Sequence, residues 1–264
     1  MDYYSRPLWL LRQARQLFYP RRCPFCGQVL GTLPVCPDCE PELEELRRTP
    51  SMRLTGTEHF LAELDGAAAP YRYSGLVRRA VLTAKYQNAP WAAVELGTRM
   101  ARLLFGSSLL MQGAEPVPQL VEGYAHGYHL ILPVPPSSRR RGYNVPERMA
   151  QPITHATGIP LRTDLLLRTH TGRRQEGLTL EERLENVAHV FSVSRPEEVE
   201  NKRILLIDDV ITTGATVSAC THALLMAGAE SVYAMAFATV ESETPRPAKA
   251  PIAEDSVSDE DDLL

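Results

Sequence analysis

The chain predicts an α/β domain with a mostly parallel sheet flanked by helices, preceded by a small four-cysteine knuckle. Three observations predict it. Strand-like and helix-like segments alternate through the second half of the sequence, the pattern of a parallel sheet covered on both faces. The uninterrupted apolar run Arg203-Ile204-Leu205-Leu206 reads as a strand buried on both sides, and it leads into Ile207-Asp208-Asp209-Val210-Ile211-Thr212-Thr213-Gly214-Ala215-Thr216-Val217. Finally, Cys23-Pro-Phe-Cys26 and Cys36-Pro-Asp-Cys39 stand nine residues apart near the N-terminus.

Residues 1–20 suggest an amphipathic docking helix. Residues 21–50 hold the cysteine knuckle and a short acidic helix, Glu40 to Arg48. A linker over 51–65 leads into a strand, Gly66 to Tyr73. Leu76, Val77, Ala80, Val81 and Ala84 recur at helical spacing and predict a helix from Gly75 to Tyr86. A second helix runs from Pro90, suited to a first turn, to Phe105. Residues 106–127 read as loop. Next come a buried strand, His129 to Val134, a helix, Val145 to Gly158, and a strand near Leu161 to Leu167. Helix Leu180 to Asn186 and strand His189 to Ser194 precede the strand at 203. Ala215 to Met226 forms a helix with Gly228 just past its end, and Ser231 to Ala238 is the last strand.

Length and composition fit one α/β domain with a small appendage. No apolar run reaches the about 18 residues of a membrane span. Leu8 to Phe18 is broken by Arg12, Gln13, Arg15 and Gln16 and lacks the form of a signal peptide, so a cytoplasmic location is expected. The net charge of −4 is uneven: residues 241–264 carry eight acids against two bases, a net −6, which leaves +2 for the rest. That stretch is expected to be a disordered, solvated acidic tail.

Each Cys-x-x-Cys pair can present two thiolates to one tetrahedral ion, and Gly27 suits the turn between them. Cys23, Cys26, Cys36 and Cys39 therefore read as a structural zinc site. Two disulfides or a redox pair are the competing readings; the lack of a secretory signal weighs against disulfides. Cys220, alone on a helix, reads as a small core residue.

The run from Ile207 places two carboxylates at a strand's C-terminal end, where open α/β sheets bind ligands. The turn into the next helix offers backbone N–H groups and the positive helix end to a phosphate. Thr212, Thr213 and Thr216 add hydroxyls, while Gly214 allows close backbone approach. Asp208 and Asp209 would repel that phosphate; they suit neutral hydroxyls, as of a ribose, or a metal-bound water. After the strand ending at Val134, prolines and serines form a rigid turn bearing Arg139, Arg140 and Arg141, whose guanidinium groups suit a pyrophosphate. The polar stretch Arg168 to Asn186 reads as a flap that closes over the reaction centre.

Residue by residue, the run 207–217 resembles the phosphoribosyl-pyrophosphate (PRPP) motif of type I phosphoribosyltransferases. In that family two acids bind the ribose 2′- and 3′-hydroxyls and the following loop binds the 5′-phosphate. Lys85-Tyr86, Leu132-Pro-Val-Pro135, Arg141-Gly-Tyr-Asn144, Gln175 with Leu178, Arg183 and Asn186, Phe191, and the Cys₄ pattern together resemble the ComF family. That family joins an N-terminal zinc knuckle to a type I phosphoribosyltransferase domain. The resemblance spans about residues 5 to 240. One departure stands at Val145-Pro146, where family members usually carry Gln.

The resemblance implies a division into a knuckle unit, 1–50, a phosphoribosyltransferase domain, 51–240, and a tail, 241–264. It implies that PRPP binds with Mg²⁺. Asp208, Asp209, Arg141 and Arg183 then serve the reaction, while Thr212, Thr213, Gly214, Ala215, Thr216, Arg139, Arg140 and Lys85 hold the ligand. Ribosyl 5-phosphate would pass to an unidentified nitrogen of a nucleobase or amine recognised by residues 51–75, alone or with the zinc knuckle. Glutamine-dependent chemistry is not expected: Asp2 follows Met1, where the glutamine-using enzymes have a processed cysteine, and the length leaves no room for their glutaminase. Family members are linked to DNA uptake in competence, which makes the proteins of that machinery expected partners. The alternative is a non-enzymatic PRPP- or nucleotide-sensing adaptor in DNA uptake. Direct nucleic-acid binding is left open, since no basic stripe with interleaved aromatics is present.

Overall fold

The computed structural model describes residues 10, 14, 16, 18–56, 59, 61, 63–123, 127–137, 142–169 and 190–240. Most of the expected N-terminal helix, the helix over 180–186 and the acidic tail lie outside them.

Two nine-residue strands form the centre of the sheet: β9 (Arg203–Ile211) and β10 (Ser231–Thr239), in parallel register from Arg203↔Ser231 to Ile211↔Thr239. On one side β9 pairs in parallel with β6 (Leu130–Pro133). On the other, β10 pairs in parallel with β2 (Gly66–Ala68) and, further along, with β3 (Tyr71–Arg72). The antiparallel edge is β1 (Arg53–Leu54), which lies in the expected linker. The strand expected over 66–73 is thus two pieces flush on β10. They are broken at Pro70, which has no N–H to donate and whose carbonyl accepts from Arg48 N–H at 2.8 Å.

Alternate residues of the strands feed two cores. Leu205, Ile207 and Phe237 pack with α2 (Gly75–Tyr86), α3 (Pro90–Phe105) and α4 (Val145–Thr157). Ile204, Leu206, Ala234 and Ala236 pack with α6 (Ala215–Met226) and with an antiparallel ribbon, β7 (Leu166–Arg168) and β8 (Phe191–Val193). A short helix, α5 (Pro196–Val199), leads from the ribbon into β9. The expected loop 106–127 instead contains a hairpin, β4 (Leu109–Gln112) and β5 (Glu115–Pro118), paired antiparallel. Pro116 and Pro118 hide this strand from a propensity reading.

The knuckle, with α1 (Glu40–Glu45), belongs to the first core: Cys23, Phe25, Cys36, Cys39 and Leu43 are buried in it beside Phe237. The Phe25 and Phe237 rings lie 6.4 Å apart. Arg99 of α3 donates from Nη2 to both Glu40 carboxylate oxygens at 2.8 and 2.9 Å, donates from Nε to the Tyr71 hydroxyl at 2.5 Å, and lies over the Phe25 ring. No helix among the described residues is long and apolar enough to cross a membrane.

Candidate phosphate and metal sites

β9 outlasts its neighbour β6. The last β6 contacts are Pro133↔Ile207 and Val134 N–H donating to the Ile207 carbonyl at 2.8 Å. From Asp208 to Ile211 the strand is held by β10 alone among the described strands. The two aspartates therefore stand where the chain leaves β6, at the C-terminal edge of a parallel sheet, the edge at which open α/β sheets bind ligands. The strand pleat sends the acids to opposite faces. Asp209 meets α2, where Lys85 Nζ lies 2.8 Å from its Oδ1. Asp208, on the α6 side, accepts the Asp209 N–H on Oδ1 at 2.8 Å. Both are nearly enclosed, with exposures of 9% and 6%. Burial and then the Asp209 charge push the Asp208 carboxyl up to about 7; the Asp209 N–H and Lys85 oppose the shift.

Beyond Ile211 the loop turns outward. Thr212, Thr213, Ala215 and Thr216 are exposed, while Gly214 is buried at φ +85°, a left-handed conformation that a side chain would strain. Gly214 caps α6, and the first turn of that helix carries no acid. The Ala215 N–H points to Thr213 Oγ1 at 3.4 Å. Exposed hydroxyls, backbone N–H groups and a positive helix end thus converge without a competing carboxylate, which suits a phosphate.

The loop between β6 and α4 is pinned at its far end. The Tyr143 hydroxyl donates to the Ala84 carbonyl at 2.5 Å, one residue from Lys85, and Asn144 Nδ2 donates to the Val134 carbonyl at 2.9 Å. Val145 and Pro146 are buried in the first turn of α4. Arg139, Arg140, Arg141 and Arg183 lie outside the described residues, as does the flap Arg168 to Asn186 beyond its first two residues. The structure therefore brings together Asp208, Asp209, Lys85 and the loop 212–216. Sequence reading missed His59 and Thr239, which back this loop: Thr239 Oγ1 lies 2.9 Å from the Ile211 carbonyl and 2.6 Å from His59 Nε2. No local pattern signals a contact spanning 180 positions.

The four knuckle sulfurs lie within 4.8 Å of one another, with Cys23–Cys39 at 3.9 Å and Cys26–Cys36 at 3.8 Å. A tetrahedral ion with metal–sulfur bonds of about 2.3 Å spaces its sulfurs by about 3.8 Å. The cluster fits one such ion, and none of the four is in a disulfide. Gly27, at φ +83°, closes the first knuckle with its N–H on the Cys23 carbonyl at 2.9 Å. Cys220 is fully buried in the second core, as expected.

Residues 139–261 match the family model of the phosphoribosyl transferase domain. The chain thus has a phosphoribosyltransferase fold, a mostly parallel sheet flanked by helices, preceded by a cysteine cluster able to hold a metal ion. It is 28% identical to competence protein F of Haemophilus influenzae over 80% of this chain and 86% of that protein. It is also 29% and 30% identical to the DNA utilization protein YhgH of Salmonella typhi and Salmonella typhimurium, over 52% of this chain and 58% of each relative. The chain is thus similar to competence protein F along most of the length of both. Among solved structures, glutamine PRPP amidotransferase from B. subtilis aligns with a TM-score of 0.35 and 23% identity, over 56% of this chain and 26% of that one.

Proposed function

We propose that the chain is a phosphoribosyltransferase that binds PRPP with Mg²⁺ and transfers ribosyl 5-phosphate to a nitrogen acceptor, in the cytoplasm and in support of DNA uptake. The link to DNA uptake is carried by the names of its relatives. The transferase reading is supported above all by the join of Asp208 and Asp209 to an acid-free helix N-terminus through Gly214.

In this reading the loop 212–216 takes the 5′-phosphate on N–H groups and hydroxyls. Asp208 and Asp209 accept the ribose hydroxyls. Their all-oxygen donor set also suits a hard cation. Mg²⁺ bound with PRPP would neutralise charge on the pyrophosphate. Lys85, 2.8 Å from Asp209, is poised to exchange that carboxylate for a pyrophosphate oxygen. Arg139, Arg140 and Arg141 grip the same group, and Arg183 belongs to the flap that excludes water. The bond from C1 to the pyrophosphate oxygen breaks with its electron pair leaving on pyrophosphate. The acceptor nitrogen's lone pair then closes on C1 and the nitrogen sheds a proton. The protein contributes position and charge, not a covalent intermediate, and no glutamine is consumed. Zinc at Cys23, Cys26, Cys36 and Cys39 holds the knuckle shut and takes no part in the chemistry.

The experiment is calorimetric titration of the full chain with PRPP and Mg²⁺, followed by a nucleobase and amine screen for pyrophosphate release. Binding is expected in the wild type, with release lowered at least about 100-fold in Asp209→Asn, the scale of one lost transition-state contact. Absence of PRPP binding by the wild type would sink the proposal. PRPP-dependent DNA uptake that survives Asp209→Asn would favour the adaptor.

A further inference from the structure

We infer that His59 is a positioning residue for the 5′-phosphate loop, acting through Thr239; the inference rests on the PRPP reading of that loop. Thr239 ends β10 and is fully buried. Its hydroxyl has one proton, and the Ile211 carbonyl, 2.9 Å away, can only accept. That proton therefore goes to Ile211, and the Thr239 oxygen accepts from His59 Nε2 at 2.6 Å. His59 thus carries a proton on Nε2. The same carbonyl also receives the Val240 N–H at 3.2 Å.

The carbonyl belongs to the peptide that joins Ile211 to Thr212, the first link of the phosphate loop. A peptide is planar, so fixing its oxygen fixes the direction of the Thr212 N–H on its other side. It also sets the start of the turn that reaches Gly214. Anion binding by backbone N–H groups gains most when the groups are oriented before the ligand arrives.

His59 is itself fixed. It is 3% exposed, and its N–H reaches the Thr55 carbonyl at 3.2 Å. Further along the same β1–β2 connection, Glu63 Oε2 lies 3.0 Å from His222 Nδ1 on α6, and the Asp65 N–H donates to the Val232 carbonyl at 2.9 Å. The connection is therefore tied to β10 and to α6, the helix whose N-terminus forms the loop. Its role is support of the phosphate loop from behind.

The test titrates the full chain with PRPP and Mg²⁺, and separately with ribose 5-phosphate, which keeps the 5′-phosphate and lacks the pyrophosphate. The variants are His59→Leu, His59→Gln, Thr239→Val and the His59→Leu/Thr239→Val double. His59→Leu and Thr239→Val are expected to weaken both ligands by a similar factor, about 10-fold, one buried hydrogen bond's worth. The double variant should lose little more than either single, since both break one relay. His59→Gln, whose carboxamide can donate in place of Nε2–H, should recover most of the affinity. A merely structural role would lower Tm without separating Gln from Leu in affinity. If the wild type binds while His59→Leu and Thr239→Val bind within about twofold of it, the inference is overturned and the PRPP reading stands. If the wild type binds neither ligand, the PRPP reading fails and takes the inference with it. Should His59→Leu not fold, Thr239→Val and His59→Gln decide the matter.

Discussion

Asp208 is the side chain on which the site's electrostatics cost most. An enclosed carboxyl beside a second carboxylate holds its proton to about pH 7, against 3.8 when free. Between those values the folded chain keeps a proton that the unfolded chain has lost, so stability falls as pH rises from about 4 to about 7 and stays lowered above that. Asp208→Asn removes the titration. Its gain over the wild type should be near zero at pH 4 and on the order of a few kcal/mol at pH 8, since every tenfold change in proton affinity is worth about 1.4 kcal/mol. Urea denaturation at the two pH values checks this, and parallel stabilities of wild type and variant would refute it. Stability is then exchanged for a carboxyl ready to release its proton when hydroxyls or a cation arrive. The acid pair was legible in the sequence because it lies in one contiguous motif. Lys85 was legible only as a nearby charge, since its partner depends on where the far end of α2 meets β9. His59 was not legible at all, because its role arises from a contact between opposite ends of the chain.

At the scale of elements, α2, α3 and α6 were read to the residue. α2 and α3 carry an apolar stripe and α6 is apolar around most of its surface, and each opens at a Gly or Pro, which fix local geometry without help from tertiary structure. The strands fared worse wherever pairing, not composition, decides. β9 runs four residues beyond its apolar stretch, through both acids, because β10 still pairs with it. The hairpin at 109–118 forms despite its prolines. Gly97, inside α3, shows what packing asks of a helix. A Cβ there would run into the Met149 carbonyl of α4, a backbone atom that cannot rotate aside. On helix propensity alone, Gly97→Ala should stabilise by about 1 kcal/mol. The α3–α4 contact reverses the sign: the variant should lose about 1–3 kcal/mol, the usual cost of overpacking. In the proposed reading it should also weaken PRPP binding, because α4 begins directly after Tyr143 and Asn144, which tie the β6–α4 loop to α2 and to Val134. Thermal denaturation with calorimetry checks both effects. A raised Tm would show that the two helices are not in tight register at this glycine.

For the whole molecule, the question is whether the cysteine knuckle unfolds by itself. The sequence suggested a separable unit over 1–50, but the burial pattern argues for cooperativity. Three of the four cysteines, Phe25 and Leu43 are buried in the same core as Ile207 and Phe237, and Arg99 ties Glu40 of the knuckle's helix to Tyr71 of the sheet. An ion held at Cys23, Cys26, Cys36 and Cys39 would therefore be coupled to the sheet face on which α2 and α3 sit, and through α2 to Lys85 and Asp209. Withdrawing such an ion would free the two loops that hold Phe25, and losing a buried phenylalanine from a core costs about 3–5 kcal/mol. For a domain of this size that lowers Tm by roughly 10 °C. Chelation of the full chain, or Cys36→Ser, should therefore shift a single melting transition downward, and PRPP affinity should fall with it. Scanning calorimetry with and without a zinc chelator makes the measurement. Two separate transitions, the upper one indifferent to chelator and still stabilised by PRPP, would instead mean that the knuckle is a dispensable attachment and that the shared core does not couple the metal to the phosphate site.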